Sequence, residues 1–241
     1  MKLIAFCAAM FASALLISNG PVLNEASATE GNTPLERLVA GNLRFTQGNS
    51  TLLHEGPDRR AEVAKGQHPF AVIVGCSDSR VPPEVLFDQG LGDLFVVRSA
   101  GHVLGDAAIG SIEYAVEYLG CELVVVLGHE RCGTVKAVVD GGDLPAHMTS
   151  FTPAILPVVD GAKKRGGEVL DHAVRANASR TARQLAECEP VLSEYVHLGK
   201  VKVVGAHYDL DTGLVEFLDP RKSAGASRSG STSVGTSSSS R

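Results

Sequence analysis

Residues 71–80 read AVIVGCSDSR, and residues 123–133 read LVVVLGHERCG. Each stretch is a continuous apolar run that stops at residues able to bind a metal or move a proton. Ala71-Val72-Ile73-Val74 and Leu123-Val124-Val125-Val126-Leu127 show no polar alternation. Runs of that kind belong to strands buried on both faces of a parallel sheet. Leu94-Phe95-Val96-Val97 is a third run of the same type. Between it and Leu123, the residues Ala108, Ile109, Ile112, Ala115, Val116 and Leu119 recur at helical spacing until Gly120 stops the helix. Strand, helix, strand reads as a βαβ unit with parallel strands. Val201 to Ala206 is a fourth strand, Asp209 to Gly213 a turn, and Leu214 to Leu218 a short antiparallel edge strand. The expected fold is therefore α/β: a mostly parallel central sheet of about four strands plus an antiparallel edge strand, flanked by helices.

Outside this frame, Thr33-Pro34-Leu35-Glu36 opens an N-terminal helical arm that runs to about Gln47. Thr33 can cap it, Pro34 fits its first turn, and Glu36 closes a capping box. A short helix fits Asp58 to Lys65. Helix is also expected from about Val169 to Leu198, interrupted by Pro190. Residues 1–28 read as a cleaved signal peptide. Lys2 is its positive start, Leu3 to Ile17 its apolar stretch, and Ala26-Ser27-Ala28 its small-x-small cleavage site. The apolar stretch is shorter than the ~20 residues of a membrane span. No other stretch is long and apolar enough, so the mature chain is expected to be secreted, extracellular or periplasmic, without a span. Residues 29–222 form the expected domain. Residues 223–241, rich in Ser and Gly, lack the apolar residues that folding requires and are expected to be a disordered tail. The 241 residues carry a net charge of -5 and no basic run, which argues against a nucleic-acid partner.

The chemistry sits where the Ala71–Val74 and Leu123–Leu127 runs end. Carboxyl ends of parallel strands form the edge at which open α/β sheets bind ligands. Adjacent strands would bring Cys76, Asp78, His129 and Cys132 together there. Thiolate, imidazole and carboxylate are the ligand types zinc accepts, and thiolate selects against magnesium and calcium. Taken singly, each residue has a plainer reading: a buried cysteine is core filler, a histidine after a strand is a loop residue, and an Asp two before an Arg is a local ion pair. Their common position at strand ends favours the metal site.

The chain resembles the β-class carbonic anhydrases. Cys76-Ser77-Asp78-Ser79-Arg80 matches the family's first signature, and Gly128-His129-x-x-Cys132-Gly133 its second. GDAAIGSIEYAVEY (105–118) and GAHYDLDTGLVEFL (205–218) are also similar to the family. The resemblance implies zinc held by Cys76, His129 and Cys132. It leaves Asp78 either as the fourth ligand, closing the site, or paired with Arg80, leaving a place for water. In the second arrangement, water on zinc loses a proton and attacks carbon dioxide to form bicarbonate, with the Asp78–Arg80 dyad gating and orienting. The resemblance also makes Gln67 a substrate-orienting amide and Phe95 an apolar pocket residue. It implies a homodimer or homotetramer in which the N-terminal arm wraps a partner. A zinc hydrolase of carbonyl sulfide or carbon disulfide would use the same motifs. A non-catalytic secreted zinc-binding protein is the alternative of another class, disfavoured because Asp78 and Arg80 are both present.

Two departures stand out. The family usually reads Asn-x-x-Asn after the arginine at position 98; here Ser99, Ala100, Gly101 and His102 follow Arg98. A bicarbonate-sensitive subtype has a Trp three residues before the first cysteine ligand; here that residue is Ile73, and the chain has no Trp. Cys121 and Cys188 are expected to stay free thiols. Asn49-Ser50-Thr51 and Asn177-Ala178-Ser179 are glycosylation sequons.

Overall fold

The computed structural model describes residues 32–218. The expected signal peptide and the expected tail lie outside these residues. The chain begins with α1 (Pro34–Thr46) and α2 (Pro57–Val63), then β1 (Ala71–Cys76), a one-turn α3 (Pro83–Leu86) and β2 (Leu94–Ser99). A 3₁₀ turn at Ala100–His102 leads to α4 (Asp106–Glu117) and β3 (Leu123–His129). Four helices follow: α5 (Gly133–Asp140), α6 (Phe151–Arg165), α7 (Val169–Ala186) and α8 (Val191–His197). The chain closes with β4 (Lys202–Tyr208) and β5 (Val215–Leu218).

The five strands lie in the order β2-β1-β3-β4-β5. The first three pairings are parallel and β4–β5 is antiparallel, which is the expected sheet. β1 and β3 are direct neighbours, so Cys76 and His129 emerge side by side at one edge. Every residue of β1 and β3 is buried, as their unbroken apolar runs require. β2 departs from that reading. Four of its residues are apolar, yet all of these are only half-buried. It is the outermost strand, and among the described residues nothing pairs with its free side.

The pleat divides the core. Val72, Val74, Val124 and Val126 face one way, against Ile112 and Val116 of α4, Ala178 and Leu185 of α7, and Leu192 of α8. Ile73, Val125 and Leu127 face the other way, against Leu38 of α1 and Leu86 and Phe87 around α3. Burying a side chain of this size contributes roughly 1.5–3 kcal/mol, and the central strands do so on both faces. A third cluster caps the carboxyl edge: Cys76 and Cys132 lie among Val135, Ile155, Val159 and Val174. Gly205 permits the close approach of α7 to β4, because a Cβ there would stand 3.3 Å from the backbone of Ala178 and Ser179.

The capping box on α1 is present, with Glu36 and Thr33 exchanging bonds. The helix packs one face on its own chain. Leu38 is fully buried, and the Asn42 side chain donates to the carbonyls of Leu86 and Gly213 and accepts from the amide of Val215. Its outer residues Val39 and Leu43 stay exposed. No described helix is long and apolar enough to cross a membrane.

Candidate metal centre

Three elements deliver the ligand atoms. β1 ends at Cys76, β3 ends at His129, and Cys132 is the N-cap of α5. All three residues are buried, and their ligating atoms lie within 4.8 Å of one another. The turn between His129 and Cys132 needs a left-handed residue, supplied by Arg131 at φ 51°. Asp211 holds Arg131 there through two bonds of 2.9 and 2.7 Å.

The donor set fits a soft divalent metal. His129 Nδ1 lies 2.9 Å from the Glu130 carbonyl, which makes Nδ1 the protonated nitrogen and turns the lone pair of Nε2 inward. Nε2 is buried and has no protein partner. A buried acceptor without a partner is costly, so the cluster is built for a ligand to supply one. The two thiols share a hydrogen bond. The Cys76 thiol is held far below its usual value, first by a hydrogen bond from Cys132 and then by the backbone amide of Gly101. Cys132 is driven upward, chiefly by serving as the proton donor in that pair. At the same time the Val135 and Thr134 amides, at the N-terminus of α5, favour a charged sulfur at Cys132. Two adjacent sulfurs of this kind favour zinc over magnesium or calcium.

Asp78 is not part of the ligand cluster. Its carboxylate takes two parallel bonds from Arg80, Nε to Oδ1 at 2.9 Å and Nη2 to Oδ2 at 2.8 Å, and Oδ1 also accepts the Arg80 amide. This guanidinium holds the Asp78 carboxyl well below the usual carboxylate range. Oδ2 remains 3.9 Å from His129 Nε2. Of the two arrangements the sequence left open, the structure has Asp78 paired with Arg80.

Gln67 and Phe95 stand elsewhere. Gln67 is exposed and lies four residues before β1 begins, at the amino edge of the sheet. Phe95 pairs with Val72 near the start of β2 and meets Tyr114 at 6.4 Å between ring centroids. β1 alone is roughly 20 Å long, so one chain does not bring these two to Cys76.

Sequence reasoning missed several residues behind the ligands. Arg98, at the end of β2, donates to the carbonyls of Cys76 (2.8 Å) and Asp78 (2.6 Å) and so pins both sides of the first signature. The Gly101 amide donates to Cys76 Sγ at 3.2 Å. His102 is buried, and burial pushes its imidazole down to about 4. Asn177, read as a sequon, is buried with its amide against Gly101 and His102. The signal available was the unusual Ser99–His102 stretch, which marks a local difference without showing what it contacts.

Comparison with known proteins agrees with this geometry. Residues 71–215 match the family model described as carbonic anhydrase. The chain is 41% identical over 184 residues to a carbonic anhydrase of Mycolicibacterium smegmatis, covering 75% of this chain and 89% of that protein. It is 42% identical to a carbonic anhydrase of Mycobacterium tuberculosis, over 76% of this chain and 90% of that one. Among solved structures, a Coccomyxa β-carbonic anhydrase in complex with acetazolamide superposes with a TM-score of 0.60 at 27% identity. That match covers 75% of this chain and 84% of the Coccomyxa chain.

Proposed function

We infer the working of the site from one premise: the chain belongs to the β-carbonic anhydrase family and is a carbonic anhydrase. The reading is a zinc-dependent, reversible hydration of carbon dioxide to bicarbonate and a proton. The observation that carries it is the buried Cys76–His129–Cys132 cluster, with an unpartnered His129 Nε2, beside an Asp78 held off by Arg80. Cys76, His129 and Cys132 would hold the zinc. When bound there, zinc supplies a Lewis acid that makes water ionise near neutral pH.

The rest of the work falls to the chain. Arg80 keeps Asp78 charged and draws its carboxylate toward the guanidinium, which leaves three protein ligands rather than four. A charged Asp78 is an acceptor only, so it orients a water beside the cluster by accepting a hydrogen bond from it. Arg98 fixes the backbone carbonyls on either side, so the carboxylate and the Cys76 sulfur keep their spacing. The Val135, Ile155 and Val159 side chains around the thiols limit water and strengthen the local charges. The test is stopped-flow hydration of carbon dioxide by zinc-loaded protein. A rate far above buffer that disappears with Cys132→Ser supports the reading. A zinc-loaded protein without such a rate overturns it.

A second copy of the chain completes the proposal. The half-buried edge strand β2, the exposed Tyr114 on α4 and the exposed Tyr118 at its C-cap leave an apolar flank for self-association. Gln67 and Phe95 then serve a neighbouring protomer's site. Light scattering at micromolar concentration should give at least a dimer. Export of the mature chain rests on Lys2, Leu3 to Ile17 and Ala26-Ser27-Ala28. N-terminal sequencing of exported protein is expected to begin at Thr29.

A further inference from the structure

The turn after β2 is held more tightly than its sequence suggests. Gly101 and His102 take consecutive positive φ values, 62° and 47°. For histidine this left-handed region is uncommon and costs on the order of 1 kcal/mol, so surrounding structure has to enforce it. On one side the turn is wedged against α5 and α6. A Cβ at Gly101 would come within 3.0 Å of Thr134 Cγ2 and 3.3 Å of Ile155 Cδ1. On the other side Asn177 reaches in from α7. Its Nδ2 lies 3.2 Å from the Gly101 carbonyl and 2.9 Å from His102 Nε2.

The direction of these bonds follows from valence. A backbone carbonyl only accepts, so the Asn177 NH₂ must face Gly101. Its second N–H then donates to His102 Nε2, which makes Nε2 the acceptor and places the imidazole proton on Nδ1. Asn177 and His102 are 3% and 1% exposed, so water does not compete for these bonds. The Gly101 N–H thereby has one direction available, and it points at Cys76 Sγ, 3.2 Å away.

We propose that Asn177 and His102 are positioning residues for the Cys76 thiolate, acting through the Gly101 amide. The proposal rests on the reading of Cys76 as a zinc ligand. A hydrogen bond to a metal thiolate orients the sulfur and draws charge from it. Partners one step behind a ligand commonly change metal affinity 10–100-fold. The Ser99–His102 stretch that departs from the family pattern thus has a positive role in this chain.

The test compares Asn177→Leu, His102→Asn and, as a packing control, Thr181→Val, one turn further along α7 and also buried. The readouts are the half-time of zinc release to a chelator and the thiolate-to-cobalt charge-transfer band of the cobalt-substituted protein. Asn177→Leu should release zinc at least tenfold faster and shift the cobalt band, while Thr181→Val leaves both unchanged. His102→Asn keeps a residue that tolerates the left-handed turn but shortens the acceptor. It should fall between the two, about threefold faster, and it decides the matter if Asn177→Leu does not fold. Unchanged release and an unchanged band in folded variants would overturn the clamp while leaving the zinc reading intact. A wild-type chain that binds neither zinc nor cobalt would overturn both.

Discussion

The two ends of the central strands each hold a buried cysteine, and the two are chemically opposite. Cys76 closes β1 at the carboxyl edge and Cys121 stands two residues before β3 at the amino edge, 4% and 1% exposed. Around Cys76 are another thiol and a backbone amide turned toward its sulfur, and they favour its ionised form. Around Cys121 burial acts alone, and the thiol is pushed up to about 11 while donating to the Pro69 carbonyl at 3.2 Å. Equal burial with opposite ionisation shows that the donors turned toward the sulfur, rather than depth, separate a ligand from a core residue. The sheet supplies this asymmetry. Its carboxyl edge gathers chain reversals and the N-terminus of α5, whereas its amino edge at β3 follows directly from a helix.

The largest effect should come from exchanging roles at the two ends. Cys132→Ser removes one sulfur from the carboxyl edge and should lose bound zinc and more than ~10³-fold of the hydration rate. Cys121→Ser should keep full zinc occupancy. Elemental analysis beside stopped-flow kinetics checks both, and zinc retained in Cys132→Ser would remove the distinction between the ends.

Next in size is the dyad. Arg80→Ala frees the Asp78 carboxylate from its two bonds, so Asp78 can reach the cluster 3.9 Å away. Zinc content should stay near one per chain while the rate falls on the order of 10²-fold. The pH dependence has a definite sign. Arg80 lowers the folded-state value of Asp78. The stabilisation from the pair is therefore complete above the ordinary aspartate range, near ~4, and disappears as pH falls through the lowered value. The acid side of the wild-type stability profile should accordingly fall more steeply below pH ~4 than that of Arg80→Ala.

How much of this was legible follows the same division. The apolar runs of β1 and β3 placed Cys76 and His129 at neighbouring strand ends before any coordinates, because continuous burial and parallel crossover leave little choice. α5 and α6 were not read as helices. α5 is short, and α6 carries Pro153 near its start and Pro157 inside, which locally signal a loop. Tertiary packing of Ile155 and Val159 overrides that signal. The contact between Asn177 and His102 joins positions 75 residues apart, and no local pattern encodes it. Gln67 and Phe95 were expected at the site by resemblance, and within one chain the strand direction carries them to the other edge.

At the amino edge the expected effects are smaller. The folded value of Cys121 is raised from 9.0 to about 11. Stability is thus complete below the unfolded thiol's value and is lost as pH rises through 11. Wild type should lose about 2–3 kcal/mol more than Cys121→Ser between pH 8 and pH 11, read from urea titrations. An equal loss in both would mean that the buried thiol ionises as easily as a solvated one. Smallest of all is Cys188→Ser. Cys188 is a free, half-buried thiol, and the change should stay within ~0.5 kcal/mol, with all four cysteines of the described chain open to alkylation after denaturation and zinc removal.

The placement of Asn177 also bears on how the protein can be made. Its side chain is inside α7's packed face with both amide hydrogens engaged, so in the finished molecule no oligosaccharyl transferase can reach that sequon. Asn49, exposed after α1, has no such protection. A sugar attached at Asn177 while the chain is still being threaded would bar α7 from docking on β4. An expression host that glycosylates nascent chains therefore sets a race between sugar transfer and folding. Replacing Ser179 with alanine removes the sequon without touching the Asn177 amide, and should raise the folded yield in such a host.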